Sequence, residues 1–202
     1  MMKLFDNPAS PYCRKVMVVL HEAGRVDEVE TSFAIGSPVN SDQMPTSVNP
    51  LGKIPTLVRD EGPALYDSRV ICRYFDAKYG LGLYPDQDPW EVLTLEATGD
   101  GIMDAALAIV YEARTRPEEL HYAPVLDGQW AKVERALDVL NSRWMGHLAG
   151  RLDIGHISVG CALGYLDFRL DARNWRKGHD ALADWYTGFL ERPSMQATIP
   201  SA

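Results

Sequence analysis

The hydrophobic period of the chain changes once, across a segment that has no period of its own. Residues 81–89, "LGLYPDQDP", are dense in Gly, Pro and Asp without helical spacing, and they read as a linker. Ahead of them, short strand-like and helix-like stretches alternate, whereas from Trp90 on the apolar residues recur only at helical intervals. A chain with that break cannot close one uniform layer. It predicts an α/β domain over residues 1–80, the linker 81–89, and an all-α helical bundle over residues 90–202.

The order expected in the first part is β-α-β-(α)-β-β-α. Residues 3–7 form a short strand candidate. Ser10 can cap a helix whose first residue is Pro11, with Val16, Val19, Leu20 and Ala23 on one face and Gly24 as the stop. Val29, Thr31, Phe33 and Ile35 alternate as in a half-buried strand. Residues 36–50 read as loop with at most one short helix, and "IPTLVRDEGPALYD" as two strands about a Glu61-Gly62 turn. Asp67-Ser68 opens a second helix with Val70, Ile71, Tyr74 and Phe75 on one face. In the helical part the periodic segments are residues 90–114, 122–148, 153–170 and 179–190.

Composition removes several function classes. A formal net charge of -8 argues against nucleic acid and membrane surfaces as partners, since phosphate binding needs a basic patch. No stretch approaches the ~18 consecutive apolar residues of a membrane span, and "MMKLFDNPAS" offers no apolar run for a signal peptide, so a cytoplasmic location is expected. Cys13, Cys72 and Cys161 suit neither a disulfide framework nor a zinc site, and the five histidines, His21, His121, His147, His156 and His179, show no metal-ligand spacing. No metal is expected.

Three short motifs carry chemistry: Ser10-Pro11-Tyr12-Cys13 at a helix start, "NPLGKIPTL" with Pro55 at the opening of a strand, and "YDSRVI" with a carboxylate and a hydroxyl at another helix start. Together with "GDGIMDAAL", "GCALGYLDFR" and "RPSMQATIP" they resemble the cytosolic glutathione S-transferases, particularly a bacterial branch, over nearly the whole chain. The resemblance implies a thioredoxin-like N-terminal domain that binds glutathione as co-substrate, a helical domain that receives the electrophile, and a homodimer. It further implies a cis Pro55, which leaves the Ile54 backbone to pair with the cysteinyl part of glutathione, and a basic residue, Lys53, that reaches the glycine carboxylate or else stays a solvated surface lysine.

Glutathione presents an ammonium beside a carboxylate at one end and a thiol at its centre. Asp67 can pair with the ammonium, while the N–H and hydroxyl of Ser68 at a helix start can hold the carboxylate; either residue can also be a plain N-cap. Ser10 stands where redox relatives of the fold carry their attacking cysteine. A serine cannot form a mixed disulfide, but its hydroxyl can donate to a thiolate, and the alternative is again a simple cap. Cys13 occupies the position of a resolving cysteine, so thiol exchange through Cys13 is a second reading beside packing, and Tyr12 either shapes the pocket or packs. Cys72 and Cys161 read as core. Met103, Leu107, Val110 and Tyr111 are candidates for the electrophile side, or for packing. Asp153 and His156 in "DIGHISVGCALG" stand where the family places a hydroxyl cap and an acid, the reverse of a capping box. Three functions remain on this evidence: glutathione conjugation, a glutathione-dependent thiol oxidoreductase, and a non-catalytic binding or regulatory protein of the same fold.

Overall fold

The computed structural model describes residues 1–201. Its first sheet is built on β1 (Met2–Asp6), whose Met2 and Leu4 are buried on one face in the two-residue period of a strand. β1 pairs in parallel with β2 (Val29–Phe33) and antiparallel with β5 (Thr56–Val58), giving the order β2-β1-β5. Parallel neighbours need a crossover, and α1 (Pro11–Ala23) supplies it. Ser10 caps α1 by accepting the Cys13 N–H at 3.3 Å, Pro11 takes the first position, and Gly24 closes the helix with φ of 62°.

The strand expectations hold only in part. Val29 is buried, yet Phe33 is 67% and Ile35 50% exposed while Ala34 is buried. The alternation breaks because Ile35 belongs to a different ribbon: β3 (Ile35–Ser37) pairs antiparallel with β4 (Asn40–Gln43) in a separate sheet. The short helix allowed for residues 36–50 is therefore replaced by this hairpin, whose second strand is polar and exposed throughout and carries no period to read. The second strand expected near residue 65 reduces to a single antiparallel bridge, Leu57 to Leu65, after a turn in which Gly62 adopts φ of 83°.

α2 (Ser68–Tyr79) starts at the expected place with Asp67 as cap, but its buried stripe is Ser68, Ile71, Cys72, Phe75 and Asp76, and Val70 is exposed. Asp76 is buried for a reason outside its own helix. Its Oδ1 accepts the Leu83 N–H at 2.7 Å and its Oδ2 the Tyr84 N–H at 3.3 Å, tying the start of the 81–89 segment to α2.

The chain divides into two compact units, Met1–Pro85 with the residues from Pro193 on, and Asp86–Arg192. The tail was expected with the helical part and belongs instead to the first unit. α8 (Pro193–Gln196) lies on α1, where Arg14 Nη2 donates to Met195 O at 3.2 Å and Ser194 Oγ to Glu22, with Ser194 and Met195 buried.

In the second unit α3 (Trp90–Thr115), α4 (Ala123–Val139), α5 (Met145–Leu148), α6 (Ile154–Leu170) and α7 (Asp180–Leu190) fill the expected spans. A π-helical segment, Leu140–Trp144, joins α4 to α5, and within it Asn141 Oδ1 accepts the Leu182 N–H at the start of α7. α6 is buried from Ile154 to Leu166, so it is the central helix, and it lies hard against α3. A Cβ on Gly99 would sit 2.7 Å from the Ser158 carbonyl carbon, and Ser158 Oγ lies 3.0 Å from Glu96 O and 2.9 Å from Asp100 Oδ1 as donor. Among the described residues no helix is long and apolar enough to cross a membrane.

The start of α6 corrects two readings. The Asp-His pair does close a capping box, because Asp153 Oδ1 accepts the His156 N–H at 3.2 Å and the Asp153 N–H donates to His156 Nδ1 at 3.3 Å. The histidines are not all scattered either. A turn folds α5 back so that His147 Nε2 lies 2.6 Å from Asp153 Oδ2, and donor atoms of His147, Asp153 and His156 fall within 4.8 Å of one another. Both carboxylate oxygens are thereby engaged by the two histidines. Burial raises the Asp153 pKa, but the hydrogen bond and charge of His156 and the bond from His147 outweigh it, and the net shift is below the ordinary value of 3.8. A carboxylate depressed in the folded state adds stability above its unfolded pKa and loses it as pH falls through the folded value. Asp153→Asn should therefore be less stable than wild type in chemical denaturation at neutral pH, with the gap closing as pH falls below the ordinary carboxylate range. A gap of equal size at both ends would show that the charge is not its source.

Candidate functional site

Strand register gathers the three motifs at one end of the first sheet. β1 runs toward Asp6, and the Ser10 turn follows it; β5 is antiparallel with Thr56 opposite Phe5, so Ile54 and Pro55 enter from that same end. The Leu57–Leu65 bridge runs antiparallel as well, which carries Tyr66, Asp67 and the first turn of α2 back to it. Segments far apart in sequence thus meet where two helices present their N-terminal N–H groups.

Each segment offers a different group. Ser10 is half-buried; its oxygen accepts the Cys13 N–H, and its hydroxyl also bonds the buried Cys13 thiol. The Ile54–Pro55 peptide is cis, as the resemblance implied, with Pro55 buried and Ile54 half-buried ahead of the β1–β5 ladder. Lys53 is exposed, but its carbonyl is not loose: Asn49 Nδ2 donates to it at 3.0 Å and Thr56 Oγ1 at 2.8 Å. Asn49 also reaches Thr56 Oγ1 at 2.9 Å and accepts the Leu51 N–H at 3.0 Å, and both side chains are buried. Asn49 and Thr56 shape the loop that presents Ile54, and sequence reading missed them. The signal was there in "NPLGKIPT", where a buried Asn and Thr flank the proline turn.

Asp67 caps α2 through the Arg69 N–H at 3.1 Å and also pairs with the Arg69 guanidinium, Nη2 to Oδ2 at 2.8 Å. Burial raises its pKa, but the hydrogen bonds and charge of Arg69, with a contribution from Lys15, leave it below the ordinary value. It is therefore an exposed carboxylate held in its charged form, and Arg69, absent from the sequence-based set, orients it. Ser68 beside it is buried.

The remaining candidates separate. Cys13 is fully buried; burial, with the Asp6 carboxylate adding to it, pushes its thiol well above the ordinary range despite hydrogen bonds from Ser10 and the Asn7 backbone. A thiol kept protonated and out of solvent is a poor nucleophile, contrary to the exchange reading. Tyr12 is half-buried. Cys72 and Cys161 are core, as expected. Met103 is fully buried and Val110 nearly so, because they continue the Leu95-Gly99 stripe of α3 that faces α6; only Leu107 and Tyr111 of that set keep partial exposure. None of these four is in the first unit.

Two family models match the chain. The family model of the glutathione S-transferase N-terminal domain matches residues 9–78, and that of the glutathione S-transferase C-terminal domain matches residues 123–188. An uncharacterized GST-like protein of Escherichia coli K12, YibF, is 34% identical over 98% of each chain. A glutathione transferase family member from Pseudomonas fluorescens Pf-5, solved with bound glutathione, is 49% identical over the full length of both chains with a TM-score of 0.97. A structure of a family member from the same organism holds S-(propanoic acid)-glutathione, at 48% identity over both full chains and a TM-score of 0.92.

The burial of the thiols has a direct readout. In the native protein near neutral pH none of the three cysteines should react with an aromatic disulfide reagent on the minutes timescale, and all three should react after denaturation. A native thiol that titrates at once, mapped to Cys13 by peptide mass, would restore the exchange reading.

Proposed function

Because the chain belongs to the glutathione S-transferase family, we propose that it binds glutathione at the end of its first sheet and joins the glutathione sulfur to an electrophilic carbon. The observation that carries this reading is the split between Ser10 and Cys13: the hydroxyl is half-exposed at a helix start and can turn from the Cys13 thiol to an incoming sulfur, while that thiol is buried and protonated.

In this reading the tripeptide lies along the three motifs. The Ile54 backbone pairs with the cysteinyl residue as an added strand, steadied by Asn49 and Thr56 beneath the loop. Asp67 takes the α-ammonium, with Arg69 holding its orientation, and the first N–H groups of α2 with Ser68 take the adjacent carboxylate. Lys53 is exposed and free to approach the glycine end. The sulfur then meets the Ser10 hydroxyl at the N-terminus of α1. Glutathione's thiol, with an ordinary pKa of about 8.5, is mostly protonated at neutral pH, so catalysis means stabilising the anion. A charge-assisted hydrogen bond of about 1.5–3 kcal/mol corresponds to roughly one to two pKa units, and the helix terminus adds a smaller term of the same sign. The thiolate attacks carbon, the C–S bond forms, and the displaced electron pair leaves with the departing group. Thiol exchange through Cys13 lacks the thiolate it needs.

Ser10→Ala should raise the pKa of bound glutathione by roughly one to two units and slow aryl-halide conjugation, with little change in glutathione affinity. Conjugation as fast as wild type would reduce Ser10 to a helix cap. Asp67→Ala should weaken glutathione binding by about 1.5–3 kcal/mol, below the cost of a fully buried pair because Asp67 is half exposed. An unchanged affinity in calorimetric titration would exclude the α2 end as the anchor.

A further inference from the structure

Histidine at the third position of α6 brings more than its cap requires. The capping box asks only for an acceptor, which Glu or Gln supplies, whereas an imidazole carries a second, rigidly placed ring nitrogen. That nitrogen, His156 Nε2, is buried without a hydrogen-bond partner in a side chain only 3% exposed. Capping alone does not account for an orphaned buried nitrogen.

What the ring adds is a nitrogen donor beside a carboxylate. His156 Nδ1 lies 2.9 Å from Asp153 Oδ1, and on the other side of the same carboxylate His147 Nε2 lies 2.6 Å from Oδ2. A donor atom from each of the three residues falls within 4.8 Å of the others. Zinc holds imidazole nitrogen and carboxylate oxygen at about 2.0–2.2 Å, so two donors on one ion stand at most about 4.2 Å apart. A small closing movement is enough. His147 can supply it, because it sits on the four-residue α5 with its side chain 19% exposed, while Asp153 and His156 are fixed at the first turn of α6. The same exposure gives an ion its way in.

A second carboxylate completes the arrangement. Glu91 Oε2, at the start of α3, lies 3.8 Å from His147 Nδ1, the ring nitrogen that does not face Asp153. Histidines that hold a metal through one nitrogen commonly give the other N–H to a carboxylate, which fixes the tautomer and makes the ring a better donor. With its hydrogen on Nδ1, toward Glu91, His147 has the Nε2 lone pair left for an ion. Two carboxylates also balance the charge of a divalent cation. Two nitrogens and one oxygen suit zinc and its neighbours cobalt, nickel and copper, whereas calcium and magnesium favour oxygen alone.

We propose that His147 Nε2, an Asp153 carboxylate oxygen and His156 Nδ1 bind one divalent transition-metal ion, with Glu91 orienting His147, and that the ion clasps α5 to the start of α6. It takes the place of the hydrogen bonds that join the carboxylate to the two rings. All four residues belong to the second unit, and none is assigned to glutathione, so the site stands or falls apart from the conjugation reading.

The test is calorimetric titration of the untagged, full-length protein with Zn²⁺ after its metal has been stripped by a chelator. Wild type should take up one Zn²⁺ per chain at micromolar concentrations, ignore Mg²⁺, and melt at a temperature that rises with the Zn²⁺ supplied. His147→Ala should weaken zinc binding at least about tenfold, and Glu91→Gln about tenfold. His156→Gln separates the metal from the cap: glutamine keeps the capping box, so this variant should retain the helix content of wild type while losing at least about tenfold in zinc affinity. Co²⁺ in place of zinc should give visible bands without the near-ultraviolet sulfur-to-cobalt band of a cysteine site. No saturable zinc uptake by wild type, equal uptake of Mg²⁺, a sulfur-to-cobalt band, or a zinc affinity that survives both His147→Ala and His156→Gln overturns the proposal.

Discussion

The position of β1 between a parallel and an antiparallel neighbour fixes the rest of the N-terminal unit. A parallel partner forces the chain to cross over through α1, and the crossover must begin where β1 ends. An antiparallel partner on the other side brings β5 in from that same end. The turn into α1, the loop into β5 and the start of α2 are then neighbours whatever their side chains are. Ser10, Ile54 and Asp67 add chemistry to a convergence that hydrogen-bond pairing has already made.

That convergence explains why the helix caps and the proposed ligand contacts are the same residues. A helix start has N–H groups to satisfy, and a polar side chain placed there for capping stands beside an anion-friendly terminus. Ser10 and Asp67 each give an acceptor to the helix, and what each has besides differs: a hydroxyl hydrogen turned to the Cys13 thiol in one case, a second carboxylate oxygen steered by Arg69 in the other. Structural and chemical roles are compatible because they use different atoms.

Features set by neighbours in sequence were legible before any coordinates. The Ser10-Pro11 start and Gly24 stop of α1, the Asp67 cap and the span of α6 follow from local capping rules and period. What escaped was set by partners distant in the chain or by strands without apolar alternation. The β3–β4 hairpin has an exposed polar strand, so its pairing leaves no trace in hydropathy. Asn49 is an ordinary loop residue until Lys53 and Thr56 are folded over it, and Phe33 looks like a core residue until the chain changes ribbons at Ala34. The histidine at the third position of α6 was misread because the capping-box rule names Glu or Gln, whereas the geometry asks only for an acceptor at that distance.

The last turn of the chain, α8, has a consequence for the order in which the protein can be completed. Arg14 on α1 is almost wholly buried and finds its carbonyl acceptor on Met195, a residue that is synthesised after the entire helical unit. A growing chain that has just released its first 85 residues holds the strands and helices of the thioredoxin-like unit but not the carbonyl that receives a buried guanidinium. Residues 193–196 complete the N-terminal unit, and a fragment cut at the linker lacks the acceptor of a buried guanidinium.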